Sequence, residues 1–479
     1  VEQRSLLQIA DSVRVQRRPV LPNQHLASNL GVDRISVVQQ WWSEQLEACV
    51  KKEPQRKQDE AIATYRCKRE GHLNSVWERR FRTKKLIETF AISPNTRILD
   101  LLCRRLRQTA MRDLVPLTTS MPGPPAELIF GDWYPAIRSQ ELHVGKMTQA
   151  LLLGIPLVLG RKRDGRLFAL RDLCPHRGIP LSAGWFDGEN VQCKYHGWKF
   201  EPCSGQCTEI PSLTQHETLE PGKIYAGAFP CEERDGYAWV YLPEPGSGRI
   251  VSDLPPVPEL PKFSTRYRSA HLVADLPCNV DHGIIGLMDP AHGPFVHQAW
   301  WWRSRASIHE KEKHFEPLED LENGGRNAGF RMSSHAPSAN SAPYKLLGVY
   351  GEPITTTIDF VLPNRRYETI RAGAKWFSSL TTITPVTPST CRIDVIAAWN
   401  VFYNVPFVTP IAKFFGARFV RQDQETMIEQ AQGLRFHPGL MLIDDADKPA
   451  KWYFALKQAR LKKTGEHPMD GPVTLHWRS

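Results

Sequence analysis

The sequence predicts an α+β protein in three parts: a basic, mainly helical N-terminal extension, a small all-β domain, and a larger α+β domain built on an antiparallel sheet with helices. Three observations predict it. Residues 1–115 lack strand alternation, and residues 1–125 hold most of the excess positive charge. From residue 128 short β-rich runs alternate with turn residues. From residue 264 strand patterns mix with helical ones. The expected boundaries are 1–127, 128–245 and 246–479.

In the first part, "SVVQQWWSEQLEACVKK" (36–52) and "ISPNTRILDLLCRRLRQTAMRDLV" (92–115) have helical spacing, the second with a Ser93-Pro94 start. Residues 1–125 hold 22 Lys and Arg against 13 Asp and Glu, a net of +9 out of +10 for the whole chain. That charge suits an anionic membrane surface, an acidic ferredoxin or nucleic acid, but a solvated arm with no specific role is the simpler expectation. "VPLTTSMPGPPAE" (115–127) reads as a linker. The small domain follows, with paired strands in "QALLLGIPLVLG" and hairpin turns at the "RDG" of 163–165 and 234–236. "EPGSGRIVSDLPPVPELPKF" (244–263) is a second linker. Beyond it, "TTTIDFVL", "WFSSLTTITPV" and "CRIDVIAAWNVFY" read as strands, and "RQDQETMIEQAQGL" and "AKWYFALKQARLKK" as helices.

At 479 residues, 41% hydrophobic and 23% charged, the chain has the composition of a globular protein with a sizeable core. No run approaches the roughly 20 apolar residues of a spanning helix. "NVFYNVPFVTPIAKFFGARFV" (400–420) comes nearest. Its two prolines, Lys413 and Arg418 make it a core segment, with a membrane-surface contact as the second reading. The first residue is Val rather than Met, as in a processed, truncated or partial chain. The ten cysteines form no regular framework, so free thiols and metal ligation in a reducing, cytoplasmic setting are expected.

Chemistry concentrates in two stretches. In "CPHRGIPLSAGWFDGENVQCKYHGWKF" (174–200), Cys174 is followed by His176, and Cys193 by His196. Two Cys and two His could hold zinc, although structural zinc sites usually keep like ligands together. They could also hold a [2Fe–2S] cluster with two Cys on one iron and two His on the other, one of each from either loop. Pro175, Gly178 and Gly197 suit tight loops, and Trp198 could shield one tip. Cys203 and Cys207 lack partner histidines and read as packing residues.

These segments, with "WYPAI" and "LLLGIPLVLGRKRDG" before them, resemble the Rieske domain of ring-hydroxylating, non-haem iron oxygenases. The resemblance implies a [2Fe–2S] cluster on Cys174, His176, Cys193 and His196. Imidazole ligation places such a potential at roughly −150 to +300 mV, suited to relaying an electron.

The second stretch is "LMDPAHGPFVHQAWWWRSR" (287–305). Asp289 and His292 share a helical face, and His297 follows beyond Gly293-Pro294. Two histidines and a carboxylate are the donor set of mononuclear iron(II). Asp289 is one possible third ligand. The resemblance to the oxygenase motif implies otherwise: Asp289 bridges to a Rieske histidine of a neighbouring subunit, and a later Asp completes the site. That residue is expected to be Asp423, with Asp444, Asp445 and Asp447 as runners-up. The family often carries Glu-Asn where this chain has Ile285-Gly286, which removes polar support; Asp281 and His282 either compensate or are ordinary turn residues. Trp300 to Trp302 read as a wall behind the iron, with Arg303 and Arg305 reaching outward.

The resemblance thus implies the α subunit of a terminal oxygenase, nearest the monooxygenase and demethylase branch. Dioxygen would be the co-substrate. Electrons would come from a ferredoxin or flavin reductase, and from NAD(P)H only through that separate protein, since no flavin or nicotinamide motif is present. It also implies a head-to-tail homotrimer. The substrate is expected to be an apolar ring compound, aromatic or sterol-like, with Trp376 and Phe377 as candidates for either pocket or sheet core. Nucleic acid is not an expected partner, whereas a peripheral membrane contact is compatible. The competing class is a Rieske electron carrier or an inactive scaffold.

Overall fold

The computed structural model describes residues 126–479 apart from 248–253, 299–307, 320–327, 337–343, 345–346, 437 and 465–466. The expected N-terminal helices, and the Trp300–Trp302, Arg303 and Arg305 wall, lie outside the described residues.

The first part is all β. A sheet of β1 (Asp132–Arg138), β11 (Tyr237–Leu242) and β10 (Cys231–Arg234) backs a second sheet of β2 (Lys146–Leu152), β3 (Ile155–Arg161), β4 (Leu167–Arg171) and β9 (Ala228–Phe229). A third carries four short strands, β5 (Trp185–Phe186), β6 (Val191–Gln192), β7 (Lys199–Phe200) and β8 (Cys207–Glu209). Both expected hairpins form. Asp235 and Gly236 have φ of 50° and 76°, the left-handed pair that a two-residue turn between β10 and β11 demands.

The second part is one antiparallel sheet of eight strands. They are β12 (Arg268–Leu276), β13 (Glu310–Leu318), β14 (Gly329–His335), β15 (Ile354–Val361), β16 (Arg365–Ala372), β17 (Lys375–Thr387), β18 (Thr390–Trp399) and β19 (Val473–Arg478). Their spatial order is β12-β18-β17-β16-β15-β14-β13-β19. Helices α1 (Val280–Met288), α2 (Gly293–Val296), α3 (Val408–Leu434) and α4 (Lys448–Lys462) complete this part.

Strand alternation gives the sheet two working faces. Trp376, Leu380, Ile396 and Ala398 pack with Trp133, Tyr237, Trp239 and Tyr241 of the small domain. Trp376 is therefore core at the junction, not a pocket residue. Phe377 points to the other face, against Leu347 and Trp399. The junction is also pinned by charge: Arg365 pairs with Asp132 at 3.4 Å, both buried, and Arg392 donates to the carbonyls of Pro135 and Ala136 at 2.8 and 3.2 Å. Backbone bonds from Leu153 and Gly154 to Pro385 and Val386 carry the β2–β3 turn onto the large sheet.

Helix α1 leads into the second motif, ending at Met288 just before Asp289, and lies on the opposite face. Asn279 caps it, accepting from the His282 amide at 3.0 Å. It approaches the sheet closely because Gly283 has no side chain: a Cβ there would sit 2.6 Å from Ile383 Cγ2 and 2.9 Å from Cys391 Sγ. Asp281 points away from the second motif. It accepts from Tyr453 Oη at 2.5 Å and from Lys457 Nζ at 2.7 and 2.8 Å, tying α1 to α4. Burial pushes the Tyr453 hydroxyl up, so it stays protonated and donates.

One expectation is overturned. Most of the 400–420 segment is not core, although Val401 and Val420 are buried. Phe402, Val405, Phe407, Ile411, Phe414 and Phe415 are exposed, because α3 begins at Val408 and turns its aromatic side outward.

Gly283→Ala should destabilise the protein by about 1–3 kcal/mol through overpacking. Gly433→Ala, where a Cβ meets nothing within 4 Å, should stabilise α3 by about 0.5–1 kcal/mol. Urea midpoints read both, and equal midpoints would refute the close-approach argument.

Candidate metal centres

The two loops at 174–179 and 193–198 are built alike. The Cys174 amide donates to the Ile179 carbonyl at 2.8 Å, and the Gly178 amide returns to the Cys174 carbonyl at 2.8 Å. The Cys193 amide donates to Trp198 at 2.9 Å, and the Gly197 amide returns to Cys193 at 3.0 Å. Gly178 and Gly197 take φ of 69° and 74°, which glycine adopts without a Cβ penalty. Both cysteines are buried, and the His176 and His196 rings lie 4.5 Å apart. Trp198 stacks on His176 at 4.8 Å and 7°, as a shield would.

The electrostatics fit a metal cluster. Burial, opposed by amide hydrogen bonds from His176 and Arg177, pushes the Cys174 thiol up to about 11. A thiolate there needs a cation beside it. Burial, then the charges of His176 and Arg177, hold the His196 imidazole below its ordinary value, in the neutral form that binds metal. Asp172 braces the first loop, accepting from Ser182 N at 2.7 Å, Ser182 Oγ at 2.6 Å and Gln149 Nε2 at 3.1 Å. Cys207 is buried among apolar side chains, while Cys203 is exposed and not a packing residue.

The second centre gathers around α2 and α3. His292, His297 and Asp423 offer ligand atoms that all lie within 4.8 Å of one another. The two Nε2 atoms are 3.3 Å apart, and Asp423 Oδ1 is 3.2 Å from His297 Nε2 and 3.8 Å from His292 Nε2. The other ring nitrogens are engaged. His292 Nδ1–H donates to the Asp289 carbonyl at 2.7 Å, and His297 Nδ1–H to Gln422 Oε1 at 3.2 Å. With those tautomers, both Nε2 atoms can offer a lone pair to a metal beside the carboxylate oxygen. Three electron-rich atoms so placed repel unless a cation sits among them. Donors about 2.1 Å from a shared ion fall near these separations, and two imidazoles with one carboxylate favour non-haem iron(II).

Asp289 stays outside that triangle. Its Oδ1 accepts from the Ala291 amide at 2.7 Å, and its Oδ2 is 3.8 Å from His292 Nδ1. Burial raises its pKa, with Asp447 adding to the rise and His292 opposing it. Asp444 is paired with Lys451 at 2.7 Å, and Asp447 accepts from the Ile443 amide at 2.8 Å. Ile285 and Gly286, where polar support was expected, pack instead: a Gly286 Cβ would lie 3.3 Å from Met427 of α3. Asp281 does not compensate, being committed to α4.

Sequence reasoning missed Gln422 and Phe419. Phe419 stacks on His297 at 3.7 Å and 16°. With Asp423 they occupy positions i, i+3 and i+4 of α3, a spacing that could have revealed them.

Residues 132–221 match the family model described as the Rieske [2Fe-2S] domain. The chain carries a Rieske domain and is similar to Rieske oxygenases over part of its length. It is 36% identical to chlorophyllide a oxygenase of Chlamydomonas reinhardtii over 36% of this chain and 25% of that protein. It is 32% identical to the oxygenase component of dicamba O-demethylase of Stenotrophomonas maltophilia, over 35% of this chain and 47% of that one. These matches therefore span less than half of either relative. Among solved structures, dicamba monooxygenase bound to dicamba superposes with a TM-score of 0.54 at 21% identity, covering 70% of this chain and all of that one. NdmA of Pseudomonas putida with caffeine gives 0.54 at 20% identity, covering 72% and 96%. The shared fold is a Rieske domain followed by a larger domain with an antiparallel sheet and few helices. The Rieske domain implies a [2Fe–2S] cluster, and the homologous oxygenases use mononuclear iron and dioxygen.

Gln422→Leu should leave the His297 ring without its Nδ1 acceptor. Divalent-metal affinity is expected to fall about 10–100-fold, and ring-nitrogen NMR of the metal-free protein should show loss of the single Nδ1–H tautomer. Unchanged affinity and tautomer would show that Gln422 does not position the ring.

Proposed function

We propose that this chain is the terminal oxygenase of a multicomponent Rieske system. It would use dioxygen, and electrons from a separate ferredoxin or flavin reductase, to hydroxylate or oxidatively demethylate an apolar, ring-containing substrate. The observation that carries the reading is the convergence of His292 Nε2, His297 Nε2 and Asp423 Oδ1 within 4.8 Å of one another. A pure electron carrier has no use for a second set of donors, so the carrier and scaffold readings leave this arrangement unexplained. Relatives described as an oxygenase component and an oxygenase subunit support a separate reductant. The demethylases among them favour attack on a methyl group.

When bound, the cluster would relay single electrons, and the iron would activate dioxygen. Cys174, His176, Cys193 and His196 would hold the first, and His292, His297 and Asp423 the second. The protein's own work is orientation. The Asp289 carbonyl and Gln422 fix the histidine tautomers, Phe419 fixes the plane of one ring, and α1 fixes the height of His292 over the sheet. The Asp289 carboxylate, outside the triangle, is the proposed contact to a cluster histidine of a neighbouring subunit in a head-to-tail trimer. The small domain meets the large sheet through β1 and β2 against β17, whereas the cluster loops belong to the apolar cluster that includes β6 and β7. That layering favours transfer between subunits over transfer within one. The proposed compartment is cytoplasmic, with a peripheral membrane contact; the chloroplastic relatives favour a plastid as the second reading.

Iron analysis tests the class. An oxygenase carries about three irons per chain and a carrier about two. Asp423→Ala should lose one iron and keep the visible spectrum of the cluster. Asp289→Ala should keep all of the iron and abolish substrate-dependent oxygen uptake with a generic reductase. Loss of iron in Asp289→Ala would make that residue a ligand and remove the proposed bridge, and full iron in Asp423→Ala would remove Asp423 from the centre.

A further inference from the structure

Helix α3 is packed the wrong way round for a surface helix of a soluble protein. Such a helix normally buries its large apolar side chains and shows water its polar ones. Here the first turns press small residues on the sheet: Ala412 packs beside Trp399 and Val401, and a Gly416 Cβ would lie 2.6 Å from Leu272. The large residues face outward. Phe407 is 75% exposed, Ile411 54% and Phe414 59%. Their spacing, i, i+4 and i+7, makes one stripe. Phe402 and Val405, in the turn before the helix, extend it. Phe402 touches Tyr350 at 6.0 Å, beside Val349, which is 74% exposed. Exposed apolar area this contiguous marks a contact surface.

The charge along this stretch of chain is of one sign, although Arg421 is paired with Glu425 at 3.1 Å. No acidic residue occurs from Val395 to Gln422, while Lys413, Arg418 and Arg421 do. Two further bases are joined to the same turn: Arg268 donates to the Tyr403 carbonyl at 2.8 Å, and Arg266 reaches the Tyr403 hydroxyl. Among the described residues, no helix is long and apolar enough to cross a membrane.

We propose that this stripe is a monotopic contact with an anionic bilayer. Phe407, Ile411 and Phe414 would enter the acyl boundary while the basic rim meets lipid phosphates. A second copy of the chain is the other occupant; a two-fold contact would set the basic rim against itself, and a head-to-tail contact is told apart by the assembled mass measured below. Ile411 lies twelve residues before Asp423 on the same helix, about 18 Å along its axis, so the contact would be displaced along the helix from the candidate iron centre. The inference sharpens the peripheral contact included in the proposed function and is independent of the iron chemistry.

The test is co-sedimentation of the iron-loaded full chain with vesicles of phosphatidylcholine plus phosphatidylglycerol, and with phosphatidylcholine alone. The parent protein should bind the anionic vesicles and be released by salt. Ile411→Glu with Phe414→Glu should weaken binding by more than about tenfold. Lys413→Gln, a rim change that leaves the core alone, should weaken it about fivefold. Cluster absorbance and sedimentation velocity report whether each variant keeps its fold and its assembly. Absence of parent binding, or equal binding by the double variant, overturns the proposal. So does a change of assembled mass in the double variant, which would give the surface to a second copy. Vesicle binding can fail while iron content and oxygen uptake hold, so the two readings fail separately.

Discussion

The close approach of His292 Nε2, His297 Nε2 and Asp423 Oδ1 is the constraint on which the second domain turns. Three electron-rich atoms between 3.2 and 3.8 Å apart do not assemble by their own attraction. They are forced together by the opposite ends of the same rings, through the Asp289 carbonyl and Gln422, and by the stacking of Phe419. The favourable contacts lie on the outside of the site and the unfavourable ones at its centre. A binding site for a cation has this form when the cation is what completes it.

Holding such an arrangement requires that the elements carrying it cannot relax. Helix α1 is seated on the sheet through Gly283 and locked to α4 by half-buried Asp281 paired with buried Lys457. Removing one member of such a pair strands a charge, at a cost of about 3–5 kcal/mol. Helix α3 meets α1 through Met427 at Gly286. Apolar helix packing there replaces the polar support expected at Ile285 and Gly286, and the tautomers are held from other positions. The small domain is fixed to the far face of the same sheet by Trp133, Trp239 and Trp376 and by Arg365 with Asp132.

The fold was legible in the sequence wherever period and turn chemistry agreed. Alternation gave the strands, Asp235-Gly236 gave a hairpin, and Gly178 and Gly197 gave the two matched loops. The Cys and His spacing left zinc and a [2Fe–2S] cluster open, and the resemblance of the surrounding segments to a Rieske domain decided between them before any coordinates. Asp423 was less accessible. It lies far along the chain from His297, and only a resemblance pointed to it. Gln422 and Phe419 were overlooked because their role exists only once α3 lies against α2. The 400–420 segment misled for a physical reason: apolar composition reports a wish to leave water, not which neighbour supplies the shelter. Trp376 was open for the same reason, since alternation assigns a face but not what lies on it.

The candidate iron centre also has a consequence for how it must be filled. Two imidazoles and a carboxylate bind copper and zinc more tightly than iron(II), following the general order of divalent affinities. Nothing in three inward-facing donors rejects those ions, since lone-pair repulsion is relieved by any dication of suitable size. Selection must then lie with supply: the metal that the surroundings offer while α2 and α3 come together decides whether the finished protein is a catalyst or an inert zinc-filled shell.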